Sequence, residues 1–143
     1  SATRRFARVV LLEPPALAEK RRVAEAFPGM SSAHVELGLE WEAFGQAERA
    51  AEAYRAALVA LPDQPDALLG LVRLAVDYGG DLDAAATIAA RLAERRPDDV
   101  ELANLRASLC ERQGDRAGAR AVLETALEHT PEAAELRERL LGL

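Results

Sequence analysis

The chain has 143 residues, of which 50% are hydrophobic, 29% charged and 4% aromatic, and this length suits one domain. Its formal net charge of −6 disfavours an electrostatic nucleic-acid binder, because phosphate contacts need a basic face. No apolar run approaches the roughly 20 residues of a membrane-spanning helix. We therefore expect a soluble protein with neither role.

Alanine and leucine dominate the sequence and β-branched residues are sparse, which predicts a nearly all-helical chain. The single cysteine, Cys110, cannot form an internal disulfide, so nothing in the sequence requires an oxidising compartment. This composition favours the cytoplasm. Ser1 is typical of a processed or truncated chain.

Residues 1–30 differ from the rest of the chain in charge. They carry roughly +3, which leaves roughly −9 for the remainder. Pro14 and Pro15 divide this basic segment into a short apolar piece, Phe6–Leu12, and a predicted helix over Pro15–Phe27. We interpret the helix as an N-terminal cap or the remnant of an earlier helical unit. The apolar piece is compatible with a strand, a helix end or a tail.

From residue 31 a helix, turn, helix pattern recurs. Its markers return at steps of 34 or 35 residues: Pro62, Pro97 and Pro131; Gly45, Gly80 and Gly114; Ala50, Ala85 and Ala119. Glycine predicts the turn inside each unit, and proline predicts the end of its second helix. The sequence thus divides into the basic segment 1–30, three repeats (31–64, 65–97 and 98–131), and a capping helix or half repeat over 132–143.

The first unit resembles the tetratricopeptide repeat, whose signature spaces an aromatic residue, Leu-Gly, Tyr, Ala, Phe and Pro along two helices. The matching residues are His34, Leu37, Gly38, Trp41, Ala50, Tyr54, Ala57 and Pro62. The later units match less closely, with Val72 and Ala107 at the glycine position and Arg106 at an expected apolar one. The resemblance implies an all-α, right-handed superhelical stack of about three repeats with N- and C-terminal capping helices.

Proteins of this family are typically non-catalytic scaffolds that hold a peptide or protein in a concave groove lined by the first helix of each pair. The resemblance places these residues in the groove: Val35, Leu39, Glu42, Asp66, Leu69, Arg73, Val76, Asp77, Glu101, Asn104, Ser108, Glu111 and Arg112, with Ser32, Glu135 and Glu138 beside them.

This face carries seven acids and two arginines, and its apolar residues lie near one end. The pattern favours a partner segment with basic side chains and one apolar anchor. In the alternative interpretation the acids only keep the protein soluble. A carboxylate ligand, which related co-chaperones grip with lysines and asparagines, would meet repulsion from Glu101.

Neither histidine is predicted to be catalytic, because His34 and His129 lie in different repeats without a carboxylate or cysteine at motif spacing. The sequence predicts no metal site and no cofactor. Trp41 and Tyr54 have helical spacing typical of core residues, and Cys110 falls at a core position where an inert thiol is expected.

Two other roles remain open. The basic N-terminal segment could dock on the acidic groove of a second copy, which would make the protein a homo-oligomeric assembly module, or it could fold back across the groove of its own chain. Alternatively, the chain is the repeat segment of a larger enzyme or of a secretion or transport machine.

Overall fold

The computed structural model describes residues 13–143, so the Phe6–Leu12 piece lies outside the described residues. The described part contains helices and turns but no strand. Its helices are α1 (Pro15–Ala26), α2 (Ser31–Ala43), α3 (Ala47–Ala60), α4 (Pro65–Tyr78), α5 (Leu82–Arg95), α6 (Val100–Arg112), α7 (Arg116–His129) and α8 (Ala134–Leu141). The prediction of an all-α protein built from helical repeats is confirmed.

The helices form two compact units, and the second unit comprises Leu68–Leu143. In the first unit α1 packs on α2, and α2 packs on α3. In the second unit α6 packs on both α5 and α7, and α8 packs on α7. Each of the predicted repeats therefore contains two helices of the structure.

The turns inside the repeats use glycine where the sequence predicts it. Gly45 and Gly114 have φ angles of 81° and 77°, in the left-handed region that strains any residue with a Cβ atom. Each of these glycines lies two residues after the last residue of a helix, and the chain reverses there into the second helix of its repeat. The glycine step in the sequence is therefore a backbone requirement.

Three helices of the second unit begin at aspartate caps. The carboxylates of Asp81, Asp99 and Asp115 accept hydrogen bonds from the backbone N–H groups of Ala84, Leu102 and Gly118 at 3.0, 3.0 and 2.8 Å. Each bond satisfies a donor that the first turn of a helix cannot pair internally. The caps thus fix where α5, α6 and α7 begin.

A close approach of α2 and α3 forms the core of the first unit. Tyr54 on α3 is fully buried, and a Cβ atom built on Gly38 of α2 would lie 2.5 Å from its ring. Trp41 is also buried, with the guanidinium groups of Arg21 and Arg49 5.6 and 4.9 Å from the centre of its ring. The prediction that Trp41 and Tyr54 are core residues is confirmed.

In the second unit, other side chains occupy the positions of Gly38 and Tyr54. Val72 and Ala89, at the positions of Gly38 and Tyr54, are fully buried and belong to one apolar cluster. Ala107 and Leu123 take these positions in the next repeat, again fully buried in one cluster. In each repeat one of the two positions carries a small residue, which is Gly38, Ala89 or Ala107. The two helices of the repeat can therefore pack closely.

We expect Gly38→Ala to lower the free energy of unfolding by about 1–3 kcal/mol, because the added methyl group collides with the Tyr54 ring. The control is the same change in a Tyr54→Leu background, which reproduces the Ala107 and Leu123 pair. There it should be neutral or stabilise by up to about 1 kcal/mol through helix propensity. Urea denaturation measures both; equal losses in the two backgrounds would contradict this packing argument.

Candidate functional site

In the first unit, the predicted partner-binding residues differ widely in accessibility. Val35 is buried, whereas 47% of Leu39 is exposed on α2. Glu42 is half-buried and its carboxylate accepts a hydrogen bond from the Tyr54 hydroxyl. Asp66 is exposed in the first turn of α4. Leu39, rather than Val35, is therefore the apolar side chain that α2 presents to solvent.

In the second unit, the predicted residues of α4 and α6 are joined by an ion pair. Arg73 Nη1 lies 3.0 Å from Glu101 Oε1. Leu69 is buried, Val76 is half-buried, and Asp77 is exposed. The accessible part of α4 is thus mainly polar, and one of the predicted acids is held by a neighbouring arginine.

Arg139 of α8 reaches across the predicted face of α6. Its Nη1 donates to the carbonyl oxygen of Asn104 at 2.9 Å and to Asn104 Oδ1 at 3.3 Å. Its Nη2 donates to Ser108 Oγ at 2.7 Å and lies 3.4 Å from Glu111 Oε1. Asn104 Nδ2 in turn donates to Glu135 Oε1 of α8 at 2.9 Å. We call these five residues the Arg139 network.

Sequence reasoning missed Arg139, although it named the other four members of the network. The contacts of Arg139 join residues 28 to 35 positions apart, and they depend on the rotation of α8 against α6. The spacing of α8, with its buried Leu136, predicts a helix but not which arginine faces α6. A search for opposite charges one repeat apart is the signal that would have found it.

These contacts reduce the negative charge that the sequence assigns to this face. Glu101 and Glu111 each lie beside an arginine, and Arg112 is exposed in the last turn of α6. Both ion pairs are partly solvent-exposed, and such pairs contribute only about 0–1 kcal/mol each. Each ion pair by itself therefore stabilises the fold only weakly, and Arg139 is held mainly by its hydrogen bonds to Asn104 and Ser108.

A cleft of about 620 Å³ lies beside the Arg139 network, between the α6–α7 turn and the end of α8. Arg139 and Glu111 line it together with Arg116. The network is thus accessible from one side.

The histidines have backbone partners rather than catalytic ones. His34 Nε2 lies 2.8 Å from the carbonyl oxygen of Pro28, and His129 Nδ1 lies 3.1 Å from that of Thr125. Cys110 is half-buried, and burial, followed by the charge of Asp115, raises the pKa of its thiol. These geometries agree with structural roles for all three.

Three family models, each described as tetratricopeptide repeat, match residues 16–65, 43–109 and 100–143. The chain belongs to the tetratricopeptide repeat family. A comparison with curated proteins found no match. Tetratricopeptide repeats are generally protein–protein interaction modules, and this is the class of function that the family gives the chain. In residues 13–143 no helix combines the length and apolar character needed to cross a membrane.

We expect Arg139→Gln to destabilise the protein by about 1–2 kcal/mol, because hydrogen bonds to charged groups are worth more than neutral ones. Amide hydrogen exchange should accelerate most in α8. The control is Arg137→Gln, which removes an exposed arginine from the same helix. Equal exchange in the two variants would show that the Arg139 network does not hold α8.

We expect Cys110 to react slowly with iodoacetamide at pH 7.5. A raised pKa leaves less thiolate at a given pH, and the thiolate is the nucleophile. The rate should be several-fold lower in the folded protein than in the same protein in 8 M urea. A folded rate equal to or above the unfolded one would contradict an inert thiol.

Proposed function

We propose that this tetratricopeptide protein is a non-catalytic scaffold that binds a protein segment carrying basic side chains and one apolar anchor. The observation that carries the proposal is a set of acids on α4 and α6. Two of them, Glu101 and Glu111, already form ion pairs with Arg73 and Arg139. Arg73 and Arg139 show that a guanidinium fits these carboxylates.

The binding step is an exchange of cations. A partner arginine replaces Arg73 at Glu101, and the displaced side chain returns to solvent. Because the Arg73–Glu101 pair is partly exposed, breaking it costs only about 0–1 kcal/mol. Arginine suits the site better than lysine, since its planar group can contact a carboxylate and a hydroxyl or carbonyl together. Asp77 and Glu138, both exposed, add long-range attraction.

Each unit offers an apolar side chain for the anchor, Leu39 in the first unit and half-buried Val76 in the second. Leu39 is about half exposed on α2, and covering it removes apolar surface from water. Buried Val35 and Leu69 support the helices that carry the polar residues and do not contact the partner directly. Charge then governs the rate and salt dependence of association, while the apolar contact adds affinity.

The proposal is tested by selecting peptides from a random 12-residue display library on the folded protein. Selected peptides should be enriched in arginine and should contain a large apolar residue. The double variant Glu101→Lys and Glu111→Lys should weaken their binding at least tenfold, because each new lysine repels a basic side chain. Raising the salt from 50 to 500 mM should weaken binding to the unmodified protein several-fold.

The matched control is Glu52→Lys with Glu128→Lys, which makes the same change in charge at exposed acids on α3 and α7. Circular dichroism should show both double variants folded. Enrichment of acidic or uncharged peptides, or an equal loss of binding in the control, would contradict the proposed surface.

A further inference from the structure

Arg106 occupies a position that the other repeats fill with leucine. One and two repeats earlier the equivalent residues are Leu71 and Leu37, and Leu37 is buried. Arg106 is half-buried on α6, and no hydrogen bond or ion pair joins its guanidinium to the described part of the chain. A cation has therefore replaced an apolar side chain at a partly buried position without forming an ion pair among the described residues.

Arg106 borders a cleft of about 300 Å³ between α5, α6 and α7. The cleft has small apolar walls, formed by Ala90, Ala93, Leu102, Ala103, Val122 and Ala126. At the position of Ala103 the earlier repeats have the larger side chains of His34 and Leu68, and the small alanine leaves this space unfilled. We call this space the Arg106 cleft.

The other charged groups of the cleft do not neutralise Arg106. Arg96 pairs with Asp99 at 3.8 Å, and Asp99 also caps α6. Glu94 lines the cleft as an exposed carboxylate on α5. The ring of His129, at the end of α7, lies at the Thr125 carbonyl oxygen. None of these groups forms an ion pair or hydrogen bond with the Arg106 guanidinium, which lies beside the apolar part of the lining.

We propose that the Arg106 cleft binds an acidic side chain, with an adjacent small apolar residue, from a partner protein. A guanidinium beside apolar walls attracts a carboxylate more strongly than an exposed cation does, because less water screens the pair. Its planar donors match the two carboxylate oxygens. The alanine and valine side chains leave room for a small apolar group beside that carboxylate.

The cleft is separate from the Arg139 network. Arg106 follows Asn104 by two residues, which turns its side chain by about 200° around the axis of α6. The two surfaces therefore lie on opposite sides of this helix and take partner groups of opposite charge. The Arg106 cleft does not depend on the function proposed above for the acidic face.

The test uses isovalerate as a probe, because it joins a carboxylate to a small branched apolar group. Isovaleramide has the same shape without the charge. Nuclear magnetic resonance titration of the full chain should show saturable shifts at the Arg106 Nε–H and at the amides of Ala103 and Ala126 with isovalerate. For a ligand of this size we expect a dissociation constant on the order of millimolar. The amide should bind at least tenfold more weakly.

Two variants remove the charge in different ways. Arg106→Gln keeps a long side chain, and Arg106→Leu restores the residue found in the earlier repeats. Both should abolish the preference for the acid, whereas Arg120→Gln, which removes an exposed arginine from α7, should preserve it. Glu94→Gln should tighten isovalerate binding about twofold by removing a like charge.

An equal response to acid and amide would overturn the proposal, because Arg106 would then only cover the cleft with its aliphatic stem. Acid-selective shifts that survive in both Arg106 variants would also overturn it. The absence of saturable shifts with isovalerate up to 50 mM would do the same.

Discussion

The close contact between the two helices of each repeat is the constraint on which the other features depend. Gly38 admits the Tyr54 ring, whereas Val72 with Ala89 and Ala107 with Leu123 fill the same place with side chains of other sizes. This contact sets which side of each first helix is buried. The opposite side of each first helix carries polar residues, so core packing determines which side chains are accessible to solvent.

The sequence predicted the structure correctly where the local backbone geometry or a close contact permits only one residue type. A left-handed turn needs Gly45 or Gly114, so this feature recurs with the repeat period. The close helix contact of the first repeat needs Gly38, and the glycine identifies it there although Val72 and Ala107 take its position later. The accessibility of individual side chains was harder. Val35 and Leu69 were expected to line the groove but are buried, because small rotations of a first helix move a residue between the core and the surface.

Contacts between neighbouring repeats were the least predictable part. The Arg73 and Glu101 pair joins residues 28 positions apart, and Arg139 reaches residues up to 35 positions away. The spacing of charges along one helix cannot predict such pairs, because each pair depends on the packing of two helices and on long, flexible side chains. The count of seven acids on the predicted groove face therefore overstated its negative charge, since the compensating arginines include Arg139, which lies outside the counted set.

Arg106 on α6 and Arg139 on α8 are both half-buried arginines, but their surroundings differ. Arg139 donates to Asn104 and Ser108 and pairs with Glu111, so its guanidinium joins α8 to α6. Arg106 lies at a partly buried position with apolar neighbours and forms no ion pair among the described residues. If this position served stability alone, an apolar residue would be expected there, as in the two earlier repeats, because partly burying an unpaired charge costs free energy. The repeat that departs most from the family signature is therefore the one that places a charged side chain at this otherwise apolar position.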